Sequence, residues 1–353
     1  MIIQTKTVFP AEWSPQEAIL LCWPHKSMDW HALLNKVEPV FEQIVDYICR
    51  HQKLILIAHD EIHQTAIKLK LTKNNINTTS IKWLLHTNND TWCRDYGPIS
   101  IFKNGKCIAL DFSFNGWGKK FKYENDNLTS QKLKRTNLLN GEMETIDFIL
   151  EGGSIETDGL GTILTTEQCL LSANRNSQLN QKQIEETLSK NLGCNRILWL
   201  KHGHLEGDDT DAHIDNLARF CNANTIAYAS CNDETDVHYH SLKAMESELK
   251  TFVTKDKNKY SLIPLLIPKP IFDNEQRLPA SYANFLITNH YVLVPTYNDP
   301  QDRINLDKLQ KVFNDRKVIG IPSNEIIKQY GSIHCLSMQL PSHTINKEKQ
   351  LDE

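Results

Sequence analysis

The sequence predicts an α/β protein built from repeated structural units. Short apolar runs alternate with amphipathic stretches from one end of the chain to the other, and this rhythm returns at intervals of roughly 55 to 75 residues. No Pro-, Gly- or Ser-rich linker divides the 353 residues, although this length exceeds that of a usual single domain. We therefore expect one catalytic domain of repeats over residues 1–341 and a charged tail at 342–353.

Helical spacing in the first part of the chain is clearest at residues 30–50. Apolar side chains recur there at Val37, Phe41 and Ile44, the intervals that form one face of a helix. Pro39 lacks the N–H of an interior helical residue, so we expect it to kink or split this helix. Around it we predict strands at 18–23, 54–58 and 81–85 and a helix at 61–70.

The second part begins with a predicted hairpin at 148–171, which turns at Asp158-Gly159-Leu160-Gly161. The helix predicted at 180–192 precedes Gly193, a residue that suits the left-handed position after a helix end. Residues 119–140 are polar, and we expect them to form a surface excursion. The other predicted strands are 197–200, 225–229, 261–267, 291–295 and 317–321, and the other helices are 233–251 and 302–314.

Composition excludes several kinds of partner. The formal net charge is −4 and no basic stripe is visible, so nucleic acid is not an expected partner. No apolar run approaches the roughly 18 residues of a membrane span. Residues 1–6 lack the apolar segment and cleavage site of a signal peptide, so we expect a cytoplasmic protein that does not bind a membrane. No G-x-G-x-x-G motif follows a strand, which argues against a dinucleotide cofactor.

The cysteines argue against disulfides and against a structural zinc site. They are odd in number, widely scattered and never spaced as C-x-x-C. Eight of the nine are interpreted as small buried hydrophobic residues in a reducing environment. The nine are Cys22, Cys49, Cys93, Cys107, Cys169, Cys194, Cys221, Cys231 and Cys335.

Cys335 is the candidate reactive thiol. Gly331 and Ser332 precede it, and small residues leave room for a ligand, although a buried inert cysteine is the ordinary alternative. His334 would point to the opposite face of an extended segment, so we do not pair it with the thiol. Acidic clusters lie far upstream, and carboxylates oppose thiolate formation. A protein that combines such groups is expected to bind a cationic substrate.

His213 and Asp215 lie in the acidic segment from Gly207 to Asn216. If this segment is extended, both side chains project to one face and Ile214 enters the core. A solvated acidic turn leading into a strand is an alternative. A metal site is another, because histidine and aspartate both bind zinc and iron; it would use Asp208, Asp209, Asp211, His213 and Asp215.

Three other segments carry candidate site residues. Asp95 follows Arg94 before a Gly-Pro turn, a pair that can be purely structural, and Trp92 next to it could wall a pocket or join the core. Glu151 ends an apolar run before two glycines, which is typical of a close backbone approach or of a simple bulge. Trp117 stands between glycines in a loop that we place near a site.

In combination these segments resemble the agmatine deiminases, within the peptidyl-arginine-deiminase-like group of the guanidine-modifying (pentein) superfamily. The chain differs from the usual family pattern at two positions: Ala212 stands where glycine is usual, and Cys93 where a small or apolar residue is common. The matching stretches follow the family order over nearly the whole chain; they are 12–13, 22–25, 91–98, 114–118, 150–155, 207–220, 278–285 and 331–339.

The resemblance implies a fold, an activity and roles for individual residues. The fold would be a five-bladed α/β propeller of ββαβ repeats around a central active-site channel. Cys335 would be the nucleophile and His213 the general acid/base. Asp95 and Asp215 would hold a guanidinium, with Glu151 as a further acid beside them. Candidates for binding the substrate are Trp92, Asp90, Trp117 and Gly331, and no metal or organic cofactor is required.

The implied partner is a small guanidinium cation. Agmatine, hydrolysed to N-carbamoylputrescine and ammonia, is the leading substrate; free arginine, peptidyl-arginine and amidinotransfer to an amine are the alternatives within the class. From another class, a metal-dependent hydrolase could use the 208–215 cluster. The sequence leaves the oligomeric state open, a homo-oligomer included.

Overall fold

The computed structural model describes residues 6–346. The strands in this part of the chain are β1 (Thr7–Val8), β2 (Gln16–Cys22), β3 (Lys53–Ala58), β4 (Ile81–Leu85), β5 (Ile99–Lys103), β6 (Lys106–Ser113), β7 (Glu142–Ile149), β8 (Ile155–Thr157), β9 (Thr162–Thr166), β10 (Arg196–Leu200), β11 (Ala218–Asn222), β12 (Thr225–Ser230), β13 (Ser261–Leu266), β14 (Phe272–Asp273), β15 (Gln276–Arg277), β16 (Leu286–Ile287), β17 (Tyr291–Thr296), β18 (Lys317–Pro322) and β19 (Ser337–Pro341).

Helices connect most of these strands. They are α1 (Leu34–Cys49), α2 (Glu61–Lys73), α3 (Cys93–Tyr96), α4 (Gly116–Lys119), α5 (Thr129–Arg135), α6 (Glu167–Leu170), α7 (Gln181–Leu192), α8 (Ile214–Leu217), α9 (Tyr239–Thr251) and α10 (Pro300–Val312). Short 3-10 turns lie at His31–Leu33, Asp126–Leu128, Gly152–Ser154 and Ile327–Gln329. The mixed α/β class predicted from the sequence is confirmed.

Five of the sheets share one strand pattern. In each, a central strand pairs antiparallel with one neighbour and parallel with another: β2 with β19 and β3, β6 with β5 and β7, β9 with β8 and β10, β12 with β11 and β13, and β17 with β16 and β18. Parallel neighbours need a crossover connection, and α1, α5, α7, α9 and α10 lie in the five crossovers. The rhythm read from the sequence is therefore a repeated ββαβ unit.

Most predicted elements are confirmed within a few residues, but three predictions were wrong. The helix of residues 34–49 runs through Pro39 without being split. The helix predicted to begin at 233 begins at 239, because Asp233 and Asp236 accept hydrogen bonds from nearby backbone N–H groups in a preceding turn. The polar excursion at 119–140 contains α5, whose Leu133 is fully buried.

The packed part of the chain continues beyond the predicted boundary at residue 341. Ile345 bridges to Leu139, and Thr344 accepts a hydrogen bond from the backbone N–H of Asn140. Both Thr344 and Ile345 are buried, so residues 342–346 are not a free tail. The rest of the predicted tail, 347–353, and most of the segment considered for a signal peptide, 1–6, lie outside the described residues.

Burial follows from the sheet pattern. Strand β3 has parallel neighbours on both edges and helices against it, and it is buried from Leu54 to Ala58, as its continuous apolar sequence predicts. All nine cysteines are free and buried, and the burial predicted for eight of them is confirmed. Within residues 6–346, no helix has both the length and the apolar character needed to cross a membrane.

Candidate active site

One pocket collects most of the predicted site residues. The described residues around it include Cys335, Asp95, Trp92, Trp117, Asp90 and Gly331, all predicted from the sequence. Five further residues line it: Phe121, Asp209, Thr210, Gln329 and Tyr330. Of these, Asp209 was considered in the sequence as part of the alternative metal cluster. The segments converge although they are separated by up to about 245 residues of chain.

Asp95 is held from two sides. Its Oδ1 accepts the backbone N–H of Gly153 at 2.9 Å, and its Oδ2 accepts Nε1–H of Trp117 at 3.0 Å. Trp117 belongs to a run of four residues with positive φ, 116–119, a strained path that the flanking glycines make accessible. Burial raises the pKa of Asp95 to about 6, and the proximity of His213 opposes this rise.

His213, Asp215 and Asp95 meet at Gly153. A Cβ on Gly153 would lie 2.7 Å from His213 Nδ1, 2.8 Å from Asp95 Oδ1 and 3.1 Å from Asp215 Oδ2. Only glycine therefore fits between the three side chains. The prediction that His213 and Asp215 lie on an extended segment was wrong, because His213 precedes a single helical turn, Ile214–Leu217. The two side chains nevertheless reach the same site, while Ile214 is buried as expected.

Several buried polar atoms at this site lack a partner. Within residues 6–346, Oδ1 of Asp215 has no hydrogen-bond partner, and the ring nitrogens of His213 have none apart from the neighbouring Cys169 thiol. Such groups are rare in folded proteins and are found where a ligand binds. His213 Nδ1 lies 3.7 Å from Asp95 Oδ1. Burial lowers the pKa of His213, but Asp95, Cys169 and Glu151 outweigh it, so this pKa lies well above its ordinary value.

Glu151 lies behind His213 with its charge paired. Both carboxylate oxygens accept Nε–H of Arg175 at 2.9 Å, and neither side chain is exposed. Arg175 also donates to Asp211 at 2.7 Å. Arg175 was not predicted, since nothing in the local sequence distinguishes it from a surface arginine. Glu151 therefore lies next to the histidine, outside the lining of the pocket.

Cys335 is surrounded by polar groups. Asn284 Nδ2 lies 3.1 Å from its sulfur, and Asp215 Oδ2 lies 3.6 Å away. Burial, followed by Asp215 and Asp95, raises the pKa of the Cys335 thiol well above its ordinary value. This is the direction expected from the acidic clusters. Asn284 lies in the matched stretch 278–285, but an asparagine in a loop gave no indication of contact with a residue 51 positions away.

The extended geometry expected for His334 was wrong, but its ring contacts Asp215 and Glu12, in keeping with the prediction that it does not pair with the thiol. The segment is a turn, in which the N–H of Leu336 donates to the carbonyl of Ser332 and the N–H of Ser337 to that of His334. The alternation of an extended strand therefore does not apply. The His334 ring is buried in the site, with Nδ1 2.8 Å from Asp215 Oδ2.

The acidic segment does not form the metal cluster that the sequence allowed. Asp208 accepts from the backbone N–H groups of Thr210 and Ala212, and Asp211 pairs with Lys120 and Arg175. In residues 6–346, the groups whose potential ligand atoms lie close together are Glu151 with Cys169 and His213, and Glu12 with Glu156 and His334. Each group contains a carboxylate paired with a buried arginine, Arg175 or Arg219. That pairing disfavours a second cation.

Comparisons with known proteins place the chain. A family model for Porphyromonas-type peptidyl-arginine deiminase matches residues 8–341. A provisionally named agmatine deiminase of Mycoplasma capricolum is 30% identical, with 94% of this chain and 95% of the relative covered.

Solved structures agree with the match. A provisionally named arginine deiminase of Porphyromonas gingivalis is 44% identical with a TM-score of 0.91, covering 97% of this chain and 100% of that one. An agmatine deiminase variant of C. jejuni with substrate bound is 38% identical with a TM-score of 0.89, covering 98% and 99%. The agmatine deiminase of Enterococcus faecalis is 28% identical with a TM-score of 0.85, covering 97% and 99%.

The chain is a hydrolase of the class that cleaves carbon–nitrogen bonds in linear amidines. More specifically, it belongs to the Porphyromonas-type peptidyl-arginine deiminase family, over nearly its whole length.

Proposed function

We propose that the protein is an agmatine deiminase, which converts agmatine and water to N-carbamoylputrescine and ammonia. The observation that carries this proposal is the convergence of Cys335 and Asp95 at a pocket with an acidic lining, with Asp215 Oδ2 3.6 Å from the Cys335 sulfur. A guanidinium is planar, permanently protonated and rich in N–H donors. Two carboxylates bind such a cation with strong, charge-assisted hydrogen bonds.

Asp95 and Asp215 would hold the guanidinium beside His213. Asp215 has Oδ1 without a partner in the described part of the chain, and this oxygen is suited to accept a substrate N–H. Burying a cation requires nearby opposite charge, which the two carboxylates supply. Fixing the guanidinium carbon beside Cys335 also lowers the barrier to attack, by several kcal/mol in well-oriented reactions.

The reaction then proceeds in two covalent steps. The Cys335 thiolate adds to the guanidinium carbon, His213 donates a proton to one nitrogen, and that nitrogen leaves as ammonia. An S-alkylthiouronium remains on Cys335. His213 takes one proton from water, and the water oxygen adds to the same carbon. The carbon–sulfur bond then breaks to release the thiolate and the ureido product, whose oxygen gives its remaining proton to solvent.

The lining of the pocket favours a substrate with a second positive charge. Asp209 and Asp90 are part of this lining, and no lysine or arginine is among the described lining residues. Burial and the neighbouring Asp208 raise the pKa of Asp209 to about 7, so a bound ammonium would favour its charged form. An acidic lining attracts the distal amine of agmatine and repels the carboxylate of free arginine.

The glycine at position 331 leaves space for a narrow slot that would hold the aliphatic part of the substrate. A Cβ on Gly331 would lie 2.3 Å from the ring of Trp92, so a side chain there would displace the indole. Trp92 would cover the aliphatic part of agmatine, as aromatic rings do for apolar chains. The agmatine deiminases of C. jejuni and Enterococcus faecalis support the same substrate for this chain.

We propose that the five ββαβ units close into one propeller domain, in which each unit is a blade and the pocket lies in the central channel. The shared strand pattern supports this, as does the unit that combines β19 with β2 and β3 from the other end of the chain. Nine free cysteines support a reducing cytoplasmic location.

Ammonia release tests the substrate directly. The purified protein should release ammonia from agmatine with a kcat/KM at least tenfold above that for arginine or a blocked arginine peptide. Asp209→Asn should reduce this preference, because it removes one charge from the lining. Turnover of the arginine peptide above that of agmatine would overturn the proposal, as would activity that depends on an added divalent metal.

A further inference from the structure

His334 is held between two carboxylates that come from distant parts of the chain. Its Nδ1 lies 2.8 Å from Asp215 Oδ2, and its Nε2 lies 2.8 Å from Glu12 Oε2. All three side chains are buried, with exposed fractions of 0 to 6%. The sulfur of the adjacent Cys335 lies 3.6 Å from the same oxygen of Asp215.

Two hydrogen bonds among these three groups require two protons. If His334 is an imidazolium, it donates from both ring nitrogens to two ionised carboxylates. If it is neutral, one ring nitrogen has a lone pair, and the carboxyl group facing it must carry the proton. The two arrangements differ in the charge next to Asp215.

Glu12 accepts a hydrogen bond from Nε2 of His334 in either arrangement, and the pKa of Asp215 favours the first one: burial raises this pKa, but His334 and the other neighbouring positive charges outweigh it. Glu12 Oε1 accepts the backbone N–H of Ile287 at 2.6 Å, and Oε2 also accepts from Arg219. A carboxyl group that receives three donors is an acceptor and therefore ionised. Burial raises the pKa of Glu12, but Arg219 and His334 outweigh it, so this pKa is lowered.

The other charged groups around the ring have opposing effects on the pKa of His334. Burial, Arg219 and Arg94 lower the pKa of His334, and Glu12 and Asp215 only partly oppose them. Two ionised carboxylates 2.8 Å from the two ring nitrogens are nevertheless satisfied only by an imidazolium. Glu156 pairs with Arg219 and so reduces the effect of that arginine. The other titratable groups near Asp215 in the described part of the chain include Cys335, His213 and Asp95.

We propose that His334 is a positioning residue, kept as an imidazolium by Glu12, that fixes Asp215 in its ionised, guanidinium-binding form. Its donation to Oδ2 orients the carboxylate so that Oδ1 is free for the substrate. This inference rests on the proposed role of Asp215 in holding a guanidinium. Glu12, at the beginning of the described chain, thus acts on the substrate through the ring of His334.

Glu12→Gln tests the charge of His334 by the sign of a pH shift. If His334 is an imidazolium, loss of Glu12 lets it become neutral, and Asp215 loses its neighbouring cation. The pKa of Asp215 then rises. In a plot of kcat/KM for agmatine against pH, the fall at low pH (the acidic limb) therefore moves to higher pH, by about one to three units. If His334 is already neutral, the substitution removes only an anion, and the limb moves to lower pH.

Three further variants separate positioning from general damage. His334→Gln keeps a neutral donor and should shift the limb in the same direction as Glu12→Gln. Glu12→Asp keeps the charge and should restore the wild-type limb. Glu17→Gln is the matched control, since Glu17 lies in the adjacent strand and pairs with Lys53; its profile should stay unchanged.

Binding provides a readout that does not need turnover. In a Cys335→Ser background, the dissociation constant of methylguanidinium should show the same upward shift of its acidic limb in Glu12→Gln. A downward shift, or an unchanged limb in a variant with a normal melting temperature, would overturn the role of His334. If the wild-type enzyme releases no ammonia from any guanidinium substrate, the proposed function fails instead.

Discussion

The backbone N–H of Arg94 donates to the carbonyl oxygen of Cys335 at 3.1 Å. This bond joins the short helix that carries Asp95 directly to the turn that carries the thiol. The relative position of anion and sulfur is therefore set by backbone, which is stiffer than two side chains in contact. The variants below use this rigidity, because single side-chain changes should leave the frame of the site intact.

Replacing the thiol separates chemistry from binding. Cys335→Ala should lower kcat by at least about a thousandfold, since no other group can form the covalent intermediate. Agmatine should still bind, because the carboxylates remain, and calorimetric titration measures this. Cys107→Ala is the control: it removes a buried thiol that contacts Thr344, away from the pocket. Substantial turnover by Cys335→Ala would refute the covalent route.

Removing one anionic contact should affect binding and rate together. Asp95→Asn retains the shape of the side chain but leaves a buried cation with one carboxylate. We expect kcat/KM to fall by an amount equivalent to about 2 to 5 kcal/mol of transition-state stabilisation. Steady-state kinetics with agmatine measure the loss. Asp111→Asn changes another buried carboxylate, outside the site, and should leave the kinetics intact. Normal kinetics in Asp95→Asn would remove this residue from the site.

Alkylation of the Cys335 thiol should become easier when a guanidinium occupies the site. In the free enzyme the raised pKa of Cys335 keeps it protonated, so alkylation at neutral pH should be slow and should rise only at alkaline pH. A bound guanidinium offsets Asp95 and Asp215 and lowers that pKa. Iodoacetamide labelling of the Cys335 peptide, followed by mass spectrometry, should therefore show a lower apparent pKa with methylguanidinium present. An apparent pKa that does not change would refute substrate-assisted thiolate formation.

A substitution at Ala212 tests whether the backbone is strained at this position. Its φ is +63°, a left-handed conformation that costs an L-residue about 1 to 2 kcal/mol. Ala212→Gly removes this strain but makes the unfolded chain more flexible, so a net gain of up to about 1 kcal/mol is expected in urea unfolding. Ala218→Gly is the control: this buried alanine has an extended φ of −152°, and its replacement should destabilise. Equal losses of stability in the two variants would contradict backbone strain at Ala212.

The sequence identified residues better than it identified their local geometry. Cys335, Asp95 and His213 stood out because thiol, carboxylate and imidazole groups occurred beside glycine or in dense clusters. The turn before His213 depends on left-handed Asp211 and Ala212, which no periodicity reveals. Strands β6 and β11 lie outside the predicted elements because the buried Asp111 and Arg219 interrupt their apolar patterns.

Contacts across the chain were beyond sequence reasoning. Asn284 and His334 are polar residues with no distinctive spacing, and their roles follow only from atoms brought together by the fold. Glu12 was part of a matched stretch, yet its partner His334 lies 322 positions away. Trp117 was predicted near the site, but its hydrogen bond to Asp95 required the left-handed loop at 116–119.

Strand β19 follows the nucleophile and pairs with β2, so Ser337 lies opposite Leu21 across more than 300 residues of chain. During synthesis, the first strand of this pair emerges from the ribosome long before the last. Contacts of such high sequence separation form slowly. A growing polypeptide thus contains its acidic residues before Cys335 has been made, and the site can form only after β19 has paired with β2.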